Sequence, residues 1–79
     1  ELYKTSYHSK MKLDLHGVRH AEVDLMVENF ILTNQSNIPL TIICGNSNIM
    51  IERVNAVIEQ IGCEHVAMDQ YGVIVVRSV

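Results

Sequence analysis

Twice in this chain a short strand-like run stops at a glycine and gives way to a stretch with helical spacing, a repetition that narrows the possible folds sharply. Residues 10–16 read KMKLDLH, which puts Met11, Leu13 and Leu15 on one face of a strand and Lys12, Asp14 and His16 on the other. Gly17 ends that run. From His20 to Thr33 the apolar residues Val23, Met26, Val27, Phe30 and Ile31 recur at helical spacing, with Glu22, Asp24, Glu28 and Asn29 opposite. A turn-rich connector over residues 34–39 leads into LTIIC at 40–44, a β-branched run that suits a strand buried on both faces. Gly45 opens the next loop. Ser47 or Asn48 can cap a second helix that lines up Ile51, Val54, Val57, Ile58 and Ile61, and Gly62 is its natural stop. Two short strands around residues 64–68 and 73–77 remain, with a hairpin turn at 69–72.

The order is thus β-α-β-α-β-β. Short right-handed crossovers make the first two or three strands parallel and the last antiparallel, an α/β sandwich of two helices packed on a mixed four-stranded sheet. At 79 residues there is room for one domain, over 11–79, after a polar lead-in at 1–10. Hydrophobic residues at 48% and only four Gly and one Pro exclude a disordered or collagen-like chain. No apolar run reaches the roughly 18 residues of a membrane span, so no membrane association is expected. Cys44 and Cys63 sit in apolar surroundings without the dense pattern of a secreted miniprotein, and reduced, buried thiols in a cytoplasmic protein are expected. The first residue is Glu1 rather than Met, as in a processed chain or a domain of a longer protein.

The net charge of −3 argues against avid, sequence-independent binding to nucleic acid, which depends on neutralising phosphates. Its distribution is uneven. Residues 1–20 carry Lys4, Lys10, Lys12 and Arg19 against Glu1 and Asp14, a local +2, and the remainder carries −5. A polyanion site therefore belongs near the first strand, with further domains or partner proteins supplying affinity that this chain lacks.

Ligands of such sheets bind beyond the carboxyl ends of parallel strands, which selects residues 14–17 and 44–47. Asp14 and His16 leave the same face near a strand end. A carboxylate beside an imidazole can orient it, raise its pKa or share a divalent metal with it, and each arrangement serves attack on a phosphodiester. The same spacing is equally met by a histidine that closes a strand end and an aspartate that caps a turn. Gly45, before a helix, offers backbone N–H groups to an anion. Lys12 on the Asp14 face, and Arg19 and His20 at a helix start, are candidate phosphate contacts or ordinary solvated residues. Arg53 is a weaker candidate. Tyr3 and Tyr7 can stack on bases or fold over the sheet. Cys63 and His65 lack the partners that would complete a zinc site, and Cys44 ends an apolar strand where a thiol is normally inert.

These residues carry a resemblance. Leu-Asp-Leu-His-Gly at 13–17, a helix opening with Glu22, Thr-Ile-Ile-Cys-Gly at 41–45 and a second amphipathic helix resemble the small MutS-related (Smr) domain, over nearly the whole of residues 11–79. That family is similar in fold to the C-terminal domain of bacterial translation initiation factor three, and its members nick DNA or cut RNA. The resemblance implies a nucleic-acid endonuclease with Asp14 and His16 catalytic, Gly17 allowing a sharp turn, and Gly45, Asn46 and Ser47 cradling the scissile phosphate. In such a site Asp14 either orients His16 or holds a hydrated Mg²⁺ or Mn²⁺, and no organic cofactor is expected. The family's second motif is usually His-Gly-x-Gly or Thr-Gly-x-Gly. Here Cys44 precedes the first Gly and Ser47 replaces the second, so the alternative is an Smr-fold module that binds nucleic acid without cutting it.

Overall fold

A computed structural model describes residues 11–78. The lead-in at 1–10, including Tyr3, Tyr7, Lys4 and Lys10, lies outside the described residues. Six elements of regular structure and one 3₁₀ turn follow in the expected order: β1 (Met11–Asp14), α1 (His20–Thr33), the 3₁₀ turn Gln35–Asn37, β2 (Leu40–Ile43), α2 (Asn48–Ile61), β3 (His65–Gln70) and β4 (Val73–Ser78).

Both helices end where their local chemistry says they should. Ser47 caps α2 by accepting the Met50 N–H on its hydroxyl oxygen at 3.2 Å, satisfying one of the donors that a helix start leaves without an internal partner. At the other end, Gly62 returns its N–H to the Ile58 carbonyl at 3.0 Å. α1 starts without a side-chain cap at Arg19, and its last turn is closed by Asn34, whose side-chain amide donates to the Phe30 carbonyl at 2.8 Å. Ser47→Ala is expected to cost about 1 kcal/mol. For a domain of this size that lowers the melting temperature by roughly 5 °C in a circular-dichroism melt.

The sheet order is β1-β2-β4-β3. β1 pairs parallel to β2 with Met11 opposite Leu40 and Leu13 opposite Ile42, while β4 runs antiparallel to both β2 and β3. The first three strands therefore point the same way. β4 fills the slot between β2 and β3 that the α2 crossover leaves open.

The strand periodicity sends alternate residues to opposite faces. Leu40, Ile42, Ile74 and Val76 face the helices and are buried with Val23, Val27 and Ile31 of α1 and Val54, Val57 and Ile58 of α2. Burying each such side chain contributes about 1.5–3 kcal/mol against exposure, so this one layer accounts for the main stabilisation of the fold. Arg53 of α2 approaches Asp24 of α1 at 3.7 Å, a partly exposed pair of small energetic weight that turns this guanidinium toward the helix seam.

Two expectations need correction. β2 is not buried on both faces: Leu40 and Ile42 are buried, whereas Thr41 and Ile43 are half-buried. Both helices pack together on one side, so no described helix covers the Thr41 face. Cys44 is buried, but Cys63 is only half-buried because it follows the end of α2 at the rim of the core; both thiols are free.

Candidate functional site

β1 and β2 are parallel, so the turns that follow them lie at the same end of the sheet, and α1 and α2 both begin there. This is where Asp14, His16, Gly17, Arg19, His20, Gly45, Asn46 and Ser47 come together. Leu15 continues the ladder past the formal end of β1, donating its N–H to the Ile43 carbonyl at 2.9 Å, and its side chain is buried. That anchor leaves Asp14 and His16, on either side of it, facing solvent with side-chain exposures of 59% and 67%.

One carboxylate oxygen organises the pair. Asp14 Oδ1 accepts the His16 backbone N–H at 3.0 Å and meets His16 Nδ1 at 2.6 Å. A carboxylate can only accept, so Nδ1 carries the proton in this contact, and Nε2 is the ring nitrogen that faces outward with its lone pair or, in the imidazolium, a second proton. Oδ2 of Asp14 makes no hydrogen bond to a described residue.

The backbone bond from His16, then the bond from its side chain and its charge, hold the Asp14 carboxyl below its ordinary value of 3.8. A carboxyl whose folded pKa is depressed keeps its bonds at every pH above 3.8 and loses them only as the pH falls through the lower folded value. The His16 backbone amide resonance is accordingly expected to shift on acidification with a midpoint below 3.8, and Asp14→Asn to abolish that step. A ¹H–¹⁵N correlation series against pH checks this.

Gly45 faces the dyad from the other strand. A Cβ at Gly45 would sit 3.1 Å from His16 Nε2, and the residue has φ of +74°. The glycine thus does two things: it supports the left-handed turn from β2 into α2, and it keeps a methyl group off the outward imidazole nitrogen. Asn46 is exposed in the same loop. Ser47 accepts the Met50 N–H on its hydroxyl oxygen as the α2 cap. Its O–H is still a donor, which is what the expected phosphate contact requires.

Gly17 is exposed with φ of +79° and carries the chain from β1 toward α1. Arg19 and His20 stand exposed at the start of α1, where the helix dipole favours an anion. Lys12 is exposed on the helix-free face, two residues before Asp14 and on the same side of the strand. Arg53 faces Asp24 instead of the site. Cys44 is buried, and desolvation pushes its thiol above the ordinary value of 9.0, as expected of an inert core cysteine.

Two neighbours of this site were not singled out from the sequence as part of it. Tyr71 and Gly72 form the turn between β3 and β4, and Gly72 packs on Gly45 while the Tyr71 hydroxyl donates to Asn48 Oδ1. An aromatic residue followed by glycine at a hairpin tip was the available signal. What the sequence does not display is that this tip folds back against a loop some 25 positions earlier in the chain.

Among the described residues no group of three or more His, Cys, Asp or Glu is placed to hold a metal, and no helix is long and apolar enough to cross a membrane. Comparison with protein-family models, curated proteins and solved structures returns no match.

Proposed function

We propose that this chain is a nucleic-acid endonuclease or nickase that hydrolyses phosphodiester bonds in DNA or RNA, with Asp14 and His16 as its catalytic pair. The observation that carries the reading is the Asp14 oxygen fixing Nδ1 of an exposed imidazole, so that Nε2 faces the Gly45 turn at the start of α2. Two helix starts converge on that same end of the sheet and favour a phosphate there. The Leu-Asp-Leu-His-Gly run at 13–17 adds its resemblance to the Smr domain.

In this scheme a water oxygen bonds to phosphorus while the bond to the leaving ester oxygen breaks. His16 Nε2 takes the proton that the water gives up, or, when protonated, donates one to the leaving oxygen. Asp14 keeps the ring oriented and stabilises the imidazolium. The backbone around Gly45, with Lys12, Arg19 and His20, holds the phosphate. Asp14 Oδ2 suits one bond to hydrated Mg²⁺ or Mn²⁺, whose charge would favour the developing phosphorane; with one carboxylate at hand, water and substrate oxygens would have to complete the shell. Free thiols fit a reducing cytoplasm, and the chain's net charge of −3 fits a domain that borrows affinity from further domains or partner proteins.

A second reading is favoured by Ser47 and Cys44. Ser47 brings a Cβ where the motif's second glycine would let a phosphate come close to the backbone, and Cys44 is buried where the motif has His or Thr, so the second loop lacks contacts that the Smr motif supplies. On that reading the chain is a non-catalytic module that binds nucleic acid. The test is cleavage of supercoiled plasmid and of a structured RNA, in Mg²⁺, Mn²⁺ or EDTA, by the unsubstituted protein, Asp14→Asn and His16→Ala. Cleavage that both substitutions remove supports the nuclease; salt-sensitive binding with no cleavage supports the module.

A further inference from the structure

The β3–β4 turn carries an aromatic side chain for which the catalytic scheme has no task. Tyr71 is 56% exposed, yet both ends of it are held. Its hydroxyl donates to Asn48 Oδ1, on the first residue of α2. Its backbone belongs to a turn whose next residue, Gly72, accepts the Cys44 N–H at 2.7 Å and lies against the Gly45 backbone. With one end in that turn and the other on Asn48, the ring spans from the Gly72–Gly45 contact to the start of α2, and Gly45 is the residue that faces His16 Nε2.

An exposed ring on a hairpin tip normally samples several rotamers and loses that freedom when a ligand binds. Here the tether and the close glycine contact restrict it beforehand, which is the condition for a preorganised contact. Its π-face can take the face of a base by stacking, a contact that needs no positive charge and tolerates any base. That matters in a chain of net charge −3, where phosphate neutralisation alone is weak. A base inside a duplex already has both faces covered by its neighbours, so the ring suits one that has left the stack.

We propose that Tyr71 is a stacking platform for an unpaired base next to the phosphate on which Asp14 and His16 act, and that the substrate class is single-stranded or locally unpaired nucleic acid. The proposal rests on the reading of this end of the sheet as a nucleic-acid site. It is tested by binding, in a His16→Ala background that prevents turnover, to a short single-stranded oligonucleotide, to its duplex, and to a chain of equal length with every base absent, each as DNA and RNA.

Tyr71→Ala is expected to weaken binding to the single strand about tenfold, and Tyr71→Phe, which keeps the ring but loses the Asn48 tether, by a smaller factor of about three. On the abasic chain the Tyr71→Ala deficit should vanish, and the duplex should bind more weakly than the single strand. Equal losses on the intact and abasic chains, or none on either, would overturn the proposal, as would duplex binding that matches the single strand and falls equally with Tyr71→Ala. A protein that binds none of these ligands overturns both this proposal and the reading beneath it. The catalytic reading fails separately, if cleavage by the unsubstituted Tyr71 protein survives Asp14→Asn and His16→Ala.

Discussion

Gly72→Ala is expected to lower the melting temperature by roughly 15 °C, the largest stability loss among the four glycine-to-alanine changes. A Cβ there would lie 2.0 Å from the Gly45 carbonyl oxygen and 2.9 Å from its carbon. Both are backbone atoms, so no side-chain rotation relieves the overlap. The φ of +83° adds the usual penalty for an L side chain in the left-handed region, about 1–2 kcal/mol. Separating the two backbones would also stretch the 2.7 Å bond from Cys44 N–H to the Gly72 carbonyl. Together these terms reach about 3 kcal/mol or more, a large share of the ~5–15 kcal/mol that holds a small domain together. Gly17→Ala is the control. Its φ is +79° but nothing lies within 4 Å of the added carbon, so it should lose only about 1–2 kcal/mol. Urea or thermal melts of the two variants separate backbone conformation from close approach, and equal losses would show that the contact between Gly72 and Gly45 is not tight in solution.

His16→Ala is expected to reduce cleavage about 10²–10⁴-fold, the range for removing a positioned proton-transfer group. Asp14→Asn should cost at least about 100-fold, by a different route. An amide can donate as well as accept, so asparagine can turn its NH₂ toward Nδ1 and put the imidazole proton on Nε2, the nitrogen that must accept one. Its signature is therefore a fall in kcat with KM little changed, because the lost carboxylate touches the ring and not the phosphate. A ¹⁵N spectrum of the imidazole gives an independent view: the unsubstituted protein should hold its proton on Nδ1 and the asparagine variant should populate the other tautomer. A contaminating nuclease would be indifferent to both substitutions.

Much of this architecture is legible residue by residue. α1 runs from His20 to Thr33 as the spacing of Val23, Val27 and Ile31 demands, and α2 keeps to the limits set by its Ser47 cap and Gly62 stop. Those are local signals, fixed by caps and periodicity within one element. The alternation in β1 likewise predicts that Asp14 and His16 share a face. It does not predict that a single Asp14 oxygen serves both the backbone and the ring of His16, since that depends on the turn at Leu15 and Gly17. The expectation that β2 is buried on both faces fails because β-branched composition cannot say on which side the helices settle. The partnership of Gly72 with Gly45, and of Tyr71 with Asn48, is invisible for a related reason: it is created by the hairpin returning across the sheet, a non-local event without a sequence spacing of its own.

The position of β4 has a consequence for the order of assembly. Among the described elements it is made last, yet it stands between β2 and β3, with Ile74 opposite Ile42 on one side and Met68 on the other. Until it arrives, β2 has one bare edge and β3 has no partner at all, so a nascent chain that has released only β1 through α2 holds two of the four strands and lacks the Ile74 and Val76 side chains that complete the core. Folding during synthesis must then wait for the final strand. The domain forms in one late cooperative step instead of accumulating from its N-terminal half.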